Sequence, residues 1–421
     1  MFPAIRSSWP LLVGIALLMI SNGTLLTLLG VRATLEGFTT TSIGLVMSGY
    51  SLGQLAGCVA VPRILENSGH VRVFAAFASL ASIAALVHMI YVDPWIWGAM
   101  RMLSGFCYAG LYVVAESWLN DQAENKYRGQ LLSVYFITQT ASFALGQFLL
   151  NYGDPAGIKL FVLVSILTSL ALVPILLSVT RSPSVETPVK ISIPKLMKLS
   201  TIGVGGCFLN GVFLGGFYSM GFVYAREIGL SSGETASFMG FSTLAAILFQ
   251  YPIGRISDAI DRRWVIAGAA LLSGLFGLPL SLFPEMAIEP LYLFAGMTCG
   301  LALPIYSLSI AHTNDHLNRE EIISASSRLV LIFGSGLVIG PYISTLVVEI
   351  FGAELMFFQL AAVQLLVALL AISRLSHGRP AAEDQGAYAT IAPGSTPVSM
   401  HLIPEGENLP PADKGKESDR S

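Results

Sequence analysis

The stretch "RMLSGFCYAGLYVVAESWLN", residues 101–120, combines a long apolar run with one charged residue near each end. Arg101 opens the stretch, Glu116 lies near its close, and almost every residue between them is apolar or small. In a lipid environment such a charge costs at least about 2.5–3.5 kcal/mol unless it faces protein or water. The two charges are therefore candidates for a functional role.

Apolar runs of this kind recur along the whole chain. Of the 421 residues, 54% are hydrophobic and 12% are charged, and a soluble chain would carry about twice that share of charge. Runs of about twenty apolar residues are long enough to cross the hydrocarbon core as helices, and the short alternating segments of a membrane β-barrel are not found. The sequence therefore predicts an all-α polytopic membrane protein with 12 transmembrane helices, at 9–31, 41–62, 71–92, 94–118, 129–151, 158–180, 199–223, 235–257, 263–283, 289–313, 324–349 and 352–374.

The basic residues predict the orientation of these spans. With the amino terminus inside, nineteen of the 23 Lys and Arg residues fall in the amino terminus, the inner loops and the carboxyl tail. Inner loops of membrane proteins carry such an excess of positive charge. We therefore expect a multi-pass protein of the plasma membrane, here a bacterial inner membrane, with both termini cytoplasmic.

Two polar segments divide the chain. Residues 181–198 contain proline and lysine and are predicted to form a cytoplasmic linker between two six-helix bundles, 1–180 and 199–375. Residues 376–421 are rich in proline, glycine, serine and charge, and such a composition predicts a disordered cytoplasmic tail. The alternatives for the tail are a functional segment and a solvated extension without function.

The two predicted bundles resemble each other in sequence. Asn22 and Gly23 in the first span match Asn210 and Gly211 in the seventh, and "MSGYSL" in the second matches "FMGFST" in the eighth. A constant offset of 194 positions relates Tyr112, Asn120, Asp121 and Gly146 to Tyr306, Asn314, Asp315 and Gly340. Parallel repeats of six spans, related by a pseudo-two-fold axis along the membrane normal, are a recognised transporter architecture.

The loop "YPIGRISDAIDRR", 251–263, resembles the loop motif G-x-x-x-D-x-x-x-R-R/K of the major facilitator superfamily. The resemblance extends over about 9–374 and implies that superfamily's fold. It also implies that this loop is a conformational latch, formed by Gly254, Arg255, Asp258, Arg262 and Arg263.

Two further stretches support the resemblance. "RMLSGFCYA" is similar to the family's span-four motif R-x-x-x-G-x-x-x-A, on Arg101, Gly105 and Ala109. "VPRILENSGHVRVF", "ESWLN" and "YRGQLLSVY" are most similar to the YcaD-like group of bacterial inner-membrane members. The first-half loop departs from the superfamily pattern, because Pro62 stands near the place that an aspartate usually takes.

Polar residues inside the spans are candidates for a substrate pathway. Arg101 is expected about 10 Å from the outer face, at 1.5 Å per residue, where it could attract an anionic group or tune a proton carrier. The alternative is that it reaches out to the interface or holds a neighbouring helix. An amide in mid-membrane needs partners, which suits either a solvated pathway or helix packing. The predicted pathway residues are Asn22, Arg101, Tyr112, Gln139, Asn210 and Tyr306.

Glu116 is expected close to the cytoplasmic end of the fourth span. A carboxylate there could pick up and release protons and so couple transport to a proton gradient. It could instead pair with Arg63 or Arg128, which are expected on the same side, and close an inner gate. Both readings remain open at this point.

These features favour a secondary active transporter that moves a small solute by alternating access and is coupled to protons. The alternative is a non-transporting membrane sensor or scaffold on the same fold. Motifs of nucleotide-binding loops, zinc proteases and serine hydrolases are not found, so neither direct ATP use nor an enzyme is expected. We expect a monomer in the lipid bilayer that binds an anionic or neutral polar solute and protons, but no cofactor, metal or nucleic acid. Import and efflux remain open.

Overall fold

A computed structural model of the chain describes residues 2–122, 128–178, 192–375, 386 and 388–402. The secondary structure of these residues is helical, and they contain no β-strand. The remaining residues include most of the predicted linker and much of the predicted tail, and those parts of both predictions lie outside the described residues.

The first half consists of long helices joined by short loops. In chain order they are α1 (Phe2–Leu35), α2 (Thr40–Ser68), α3 (His70–Ile90), α4 (Pro94–Gln122), α5 (Arg128–Phe148), α6 (Lys159–Leu170) and α7 (Leu172–Ser178). The last two continue one another across Ala171 and together occupy the sixth predicted span. A short 3₁₀ helix, Leu149–Tyr152, follows α5.

The second half repeats this organisation. Its helices are α8 (Ile193–Leu199), α9 (Thr201–Glu227), α10 (Ser232–Ala259), α11 (Arg262–Leu282), α12 (Ile288–Asn314), α13 (Arg319–Phe351) and α14 (Met356–Ser373). The short α8 covers the end of the predicted linker and precedes the first long helix of this half.

The predicted fold class is confirmed. A helix covers every predicted span, and ten of the described segments are long and apolar enough to cross a membrane by length and composition. Apart from the short α8, the described helices outside these ten are α4 and α5, which carry Arg101, Glu116 and Gln139. These helices are less apolar because they hold the polar residues of the site described below.

Close helix packing in the two halves follows the sequence repeat. In the first half α1 packs on α5, and a Cβ atom at Gly23 would overlap the carbonyl oxygen of Phe143. In the second half α9 packs on α13, and a Cβ atom at Gly211 would overlap the carbonyl oxygen of Phe333. Only glycine allows the backbones to approach so closely. The repeated Asn-Gly pairs therefore mark the same interface twice.

The two halves meet directly at one end of the bundle, which we call the far side because it lies opposite the carboxyl tail. There the start of α2 lies against the end of α13, and Thr41 Oγ1 donates a hydrogen bond to Glu349 Oε2 at 2.7 Å. Close by, the Phe222 ring of α9 packs on Gly30 of α1. A single apolar cluster runs across both halves. These contacts close the far side of the bundle.

The carboxyl tail departs in part from its predicted disorder. Residues 388–402 enter the opposite end of the bundle, the tail side, and end in a short 3₁₀ helix, Pro397–Leu402. Ala389, Ile391 and Met400 are buried there against the helices. The tail composition cannot form a core by itself, but the two halves supply apolar surface and hydrogen-bonding groups that it lacks.

Candidate functional site: a cavity between the two halves

A central cavity of about 150 Å³ lies between the halves. Its walls come from α1, α2, α4 and α5 of the first half and from α9, α10, α12 and α13 of the second. Residues 392–394 of the tail form part of its wall on the tail side. Among the described residues that line it, Arg101 is the one charged side chain.

Arg101 is held in the cavity wall and forms no ion pair with the other described residues. Its residue is 1% exposed, and its guanidinium carbon lies 4.5 Å from the centre of the Tyr50 ring. In the described part of the chain, Nε and Nη1 of Arg101 have no hydrogen-bond partner. A desolvated cation–π contact contributes about 2 kcal/mol, which stabilises the charge but leaves its donors unused. The cavity wall therefore holds a cation with two unused donors, which an anion that approaches it could engage.

Polar groups surround this cation. Asn22 Nδ2 donates to the hydroxyl of Tyr50 at 2.8 Å and to that of Tyr112 at 3.4 Å. Gln139 also lines the cavity, and its Nε2 atom has no partner among the described residues. The structure thus brings four of the six predicted pathway residues, Asn22, Arg101, Tyr112 and Gln139, to one cavity.

Most of the remaining wall is apolar. It includes side chains from both halves, among them Met19, Leu26, Phe143, Leu214 and Leu337. A cavity with one cation, a few hydrogen-bonding groups and apolar walls suits an amphipathic anion.

Asn210 and Tyr306, the other two predicted pathway residues, lie elsewhere. Asn210 Nδ2 donates to the Ala302 carbonyl at 2.8 Å, between α9 and α12. Tyr306 packs on Phe333, with ring centres 4.1 Å apart. Both residues are fully buried in the second half and do not line the cavity. Their contacts here are those of helix packing.

Glu116 lies buried below the cavity and is covered by the tail. Tyr135 donates its hydroxyl to Glu116 Oε1 at 2.9 Å, and the Thr396 backbone N–H donates to Oε2 at 3.1 Å. The Thr396 hydroxyl also donates to Oε2. The expected pairing with Arg63 is not formed, since Arg63 is exposed whereas Glu116 is fully buried. The Arg128 side chain lies outside the described residues.

The predicted latch loop surrounds a buried arginine. Arg262 forms ion pairs with Asp315, which follows α12, and with Asp258 at 3.1 Å. Both the Arg262 and the Asp315 side chains are buried. Asp315 belongs to the sequence repeat, and its first-half counterpart Asp121 is exposed. The superfamily's loop motif is thus assembled in the second half.

The other basic residues of the loop have different surroundings. Arg263 bonds Asp261 and also donates to the Arg374 carbonyl at 2.8 Å, which ties the start of α11 to the end of α14. Arg255 is exposed and donates to the Tyr251 hydroxyl at 3.3 Å. Of the three arginines, Arg262 is therefore the one that joins several elements, through a buried ion pair with Asp315 and a more exposed one with Asp258.

Burial affects the titration of the groups around this loop. It raises the pKa of Asp315, and the neighbouring Arg262 limits the rise. Burial also disfavours ionisation of Asp261, but hydrogen bonds from Arg263 outweigh it and lower the pKa of Asp261. In the tail, burial raises the pKa of the Tyr388 hydroxyl. At neutral pH that hydroxyl is therefore neutral and can both donate and accept hydrogen bonds.

Several residues of the site are not among those predicted from the sequence. Tyr50, Gln54, Tyr218 and Thr243 line the cavity, and Thr396 covers Glu116. Tyr50 and Gln54 are four residues apart on α2, a spacing that places both on one face of a helix. This signal was available in "MSGYSLGQL". The sequence around Thr396 does not predict its position, because its partner Glu116 is distant in the chain.

Comparisons with known proteins agree with this fold. The chain matches the sequence profile of the Major Facilitator Superfamily over residues 11–241 and 204–404. It is 26% identical over 371 residues to the "Uncharacterized MFS-type transporter YcaD" of Escherichia coli O45:K1 (strain S88 / ExPEC), covering 87% of this chain and 95% of that protein.

Two solved structures share the fold at low sequence identity. One is the nucleoside transporter NupG, with a TM-score of 0.69, 15% identity, and coverage of 88% of this chain and 100% of that one. The other is a bacterial homologue of the human lysosomal transporter Spinster in an inward-facing, occupied conformation. Its TM-score is 0.68 at 16% identity, with 91% of this chain and 99% of that one covered.

Proposed function

Because this chain belongs to the major facilitator superfamily, we propose that it is a secondary transporter of an amphipathic monoanion, carried through the cavity at Arg101 by alternating access. The chain is a multi-pass membrane transporter with a small-molecule substrate. The substrate class is our inference, as are the cytoplasmic position of the tail side and the bacterial inner membrane as its location.

The observation that carries the substrate class is the unpaired guanidinium of Arg101. A buried charge is normally paired, because an unpaired one is costly to remove from water. Arg101 contacts the face of an aromatic ring, and two of its nitrogens lack hydrogen-bond partners in the described part of the chain. A carboxylate or a similar anion would accept from these donors in the bidentate geometry that guanidinium groups favour.

The rest of the lining indicates what the anion is attached to. Apolar side chains from both halves make up most of the wall. An apolar organic group that displaces water there would therefore make the free energy of binding more favourable. The hydroxyls of Tyr112 and Tyr218 and the Gln139 amide offer a few further hydrogen bonds. We infer a carboxylate on an aromatic or branched aliphatic body.

Proton coupling is proposed to run through Glu116. It is a fully buried carboxylic acid within a membrane-spanning helix, and its described hydrogen bonds come from neutral donors, Tyr135 and Thr396. Because no described cation pairs with it, Glu116 can take up a proton without breaking an ion pair. Movement of an anion with a proton would also avoid moving net charge against the membrane potential.

The experiment that tests the substrate class is thermal stabilisation of the purified full-length protein. The panel consists of aromatic and short branched carboxylates, each paired with its own uncharged amide. A ligand at a hundred times its dissociation constant stabilises the folded state by about 2.7 kcal/mol. We expect carboxylates to raise the unfolding temperature and their amides to have little effect.

Two variants locate the effect. Arg101→Gln should abolish stabilisation by the carboxylates, whereas Arg72→Gln, which removes an exposed arginine, should preserve it. Equal stabilisation by amides would contradict the substrate class. Carboxylate stabilisation that persists in Arg101→Gln would contradict the site, and a panel without any stabilising carboxylate would contradict both.

A further inference from the structure

We propose that the described tail residues, 386 and 388–402, are an internal plug, which closes the tail-side mouth of the cavity and must leave before a solute can pass. This inference goes beyond the transport function, because it concerns how access to the cavity is controlled. It rests on four sets of contacts, with the cavity, with each half of the bundle and with the latch loop.

The first set of contacts places the segment inside the pathway. Ala392, Pro393 and Gly394 form part of the cavity wall itself. With the segment in place the cavity measures about 150 Å³, a size comparable to cavities that hold a single benzene molecule. Pockets for metabolites and drug-sized ligands are commonly about 300–1,000 Å³. The bound segment therefore occupies space that a typical solute and its exit path would need.

The second set attaches the segment to the first half. Thr396 donates both its backbone N–H and its hydroxyl to Glu116 of α4. Ala389 is buried in the apolar cluster of the first half, and Val398 packs against it. A buried carboxyl group that loses its hydrogen-bond partners carries a desolvation penalty, whether or not it is charged. The segment thus satisfies a carboxylate that would otherwise face the open mouth.

The third set attaches the same segment to the second half. The Ser307 hydroxyl of α12 donates to the Ile391 carbonyl and accepts from the Ile391 N–H, both at 3.0 Å. Ser327 of α13 donates to the Pro397 carbonyl at 3.2 Å. The 3₁₀ helix Pro397–Leu402 packs against α4, α5 and α13 together. The segment therefore joins the two halves on the tail side, at the end of the bundle opposite the far-side contacts.

The fourth set involves the predicted latch loop. Gly254 packs on the Tyr388 ring, Asp258 accepts from the Tyr388 N–H at 2.9 Å, and Arg262 donates to the Gly386 carbonyl. The Tyr388 hydroxyl accepts from Gln250 Nε2 at 2.6 Å. Three of the five latch residues thus contact the segment directly. Release of the segment and movement of the loop are expected to be coupled.

These contacts have a conformational consequence. Alternating access moves the two halves relative to each other, and a segment bonded to both must detach from at least one of them. A ligand that binds one conformation shifts the equilibrium toward it by its differential affinity. The tail acts as such a ligand, tethered to the chain, and favours the state with a closed far side.

The test measures access to the cavity and does not require a transported substrate. Thr140→Cys places a thiol on the cavity wall. Its reaction with 2-sulfonatoethyl methanethiosulfonate, a small anionic reagent, is followed on the purified full-length chain. The four native cysteines are buried, and the parent chain gives their baseline. Thr396→Asp is then added, because a carboxylate buried beside Glu116 with no cation to pair with is costly and should expel the segment.

We expect slow reaction at Thr140→Cys in the otherwise native chain and a rate higher by about tenfold or more with Thr396→Asp, since the hydrogen bond of the Thr396 hydroxyl to Glu116 is lost and an unpaired carboxylate is buried. Thr390→Asp, the same substitution at a half-buried position of the segment, should leave the rate low. If Thr396→Asp does not fold, Thr396→Val removes only the hydroxyl and should give a smaller increase.

A second labelling position follows the segment itself. Ser395→Cys is buried in the bound segment and should react slowly, whereas Gly386→Cys is exposed and should react fast. Fast reaction at Ser395→Cys in the native background would overturn the proposal. So would release of the segment by Thr396→Asp without faster reaction at Thr140→Cys. A protein that shows the expected labelling but binds no carboxylate would refute the proposed substrate class and leave the plug intact.

Discussion

The guanidinium carbon of Arg101 lies 4.5 Å from the centre of the Tyr50 ring, whose hydroxyl accepts a hydrogen bond from Asn22. One aromatic side chain thus orients both a buried cation and a buried amide. Tyr50 belongs to α2, and Arg101 belongs to the adjacent helix α4. The position of the proposed anion site depends on this contact between helices.

Substitution of Tyr50 should separate its two roles. Tyr50→Phe keeps the ring over Arg101 and removes the hydroxyl, at an expected cost of about 1–3 kcal/mol because the Asn22 amide loses an acceptor. Tyr50→Leu also removes the cation–π contact, for a further cost of about 2 kcal/mol. Carboxylate binding should weaken more in Tyr50→Leu than in Tyr50→Phe, as titration with thermal unfolding would show. Equal affinities in both variants would contradict the orienting role of the ring.

Substitution of the glycine in either of the two repeated Asn-Gly pairs should cause a similar packing defect. Gly23→Ala and Gly211→Ala each place a methyl group against a carbonyl oxygen of the partner helix, and overpacking of this kind typically costs about 1–3 kcal/mol. Unfolding in detergent should show a lower midpoint for both variants. Gly268→Ala is the control, because a Cβ atom there meets no atom within 4 Å. It should be neutral or slightly stabilising, as expected for alanine in a helix. If Gly23→Ala and Gly211→Ala were both as stable as the native protein, the close approach of the paired helices would be contradicted.

Loss of the latch-loop carboxylate should destabilise the protein strongly, whereas the corresponding substitution in the first half should have little effect on stability. Asp315→Asn leaves buried Arg262 with the more exposed Asp258 as its remaining carboxylate, and removal of one partner of a buried pair typically costs about 3–5 kcal/mol. Asp121→Asn, at the corresponding exposed position of the first half, should change stability by less than about 0.5 kcal/mol. Comparable losses in the two variants would show that the second-half loop has no special role. The measurement is thermal unfolding of both purified variants.

Proton coupling predicts a selective defect at Glu116. Glu116→Gln cannot exchange a proton, so uptake into vesicles should no longer respond to an imposed pH gradient. Exchange of labelled for unlabelled solute at equal pH on both sides should persist, because it needs no net proton movement. Glu66→Gln, which removes an exposed carboxylate of α2, is the control and should keep the response to the gradient. A gradient response in Glu116→Gln would exclude Glu116 as the coupling residue.

The sequence predicts the fold well because hydrophobic length and repetition determine it. Long apolar runs require membrane-spanning helices, and the Asn-Gly pairs at 22–23 and 210–211 mark equivalent helix contacts. The polar cavity was partly predictable, since Arg101 and Asn22 stand out in apolar surroundings. Asn210 shows the limit of this reasoning. A buried amide can face a cavity or a neighbouring carbonyl, and only the three-dimensional contacts decide between them.

The tail could not be predicted in the same way. Residues 376–421 as a whole have a composition typical of disorder, but 388–402 contain no Asp, Glu, Lys or Arg, and their order comes from partners such as Glu116 and Ser307 that are far away in the chain. The pairing of Glu116 with Arg63 was a reasonable expectation from proximity along the helices. In the structure Thr396 occupies that position instead. Local patterns contain no information about such long-range partners.

The most direct test of the account is counterflow in sealed vesicles that contain the full-length protein. The labelled solute is the carboxylate that stabilises the purified protein most, and Thr396→Asp and Arg101→Gln are compared with the native chain. We predict saturable exchange that is faster in Thr396→Asp and lost in Arg101→Gln. Exchange that does not saturate, or that is unchanged in Arg101→Gln, would contradict a carrier with its anion site at Arg101.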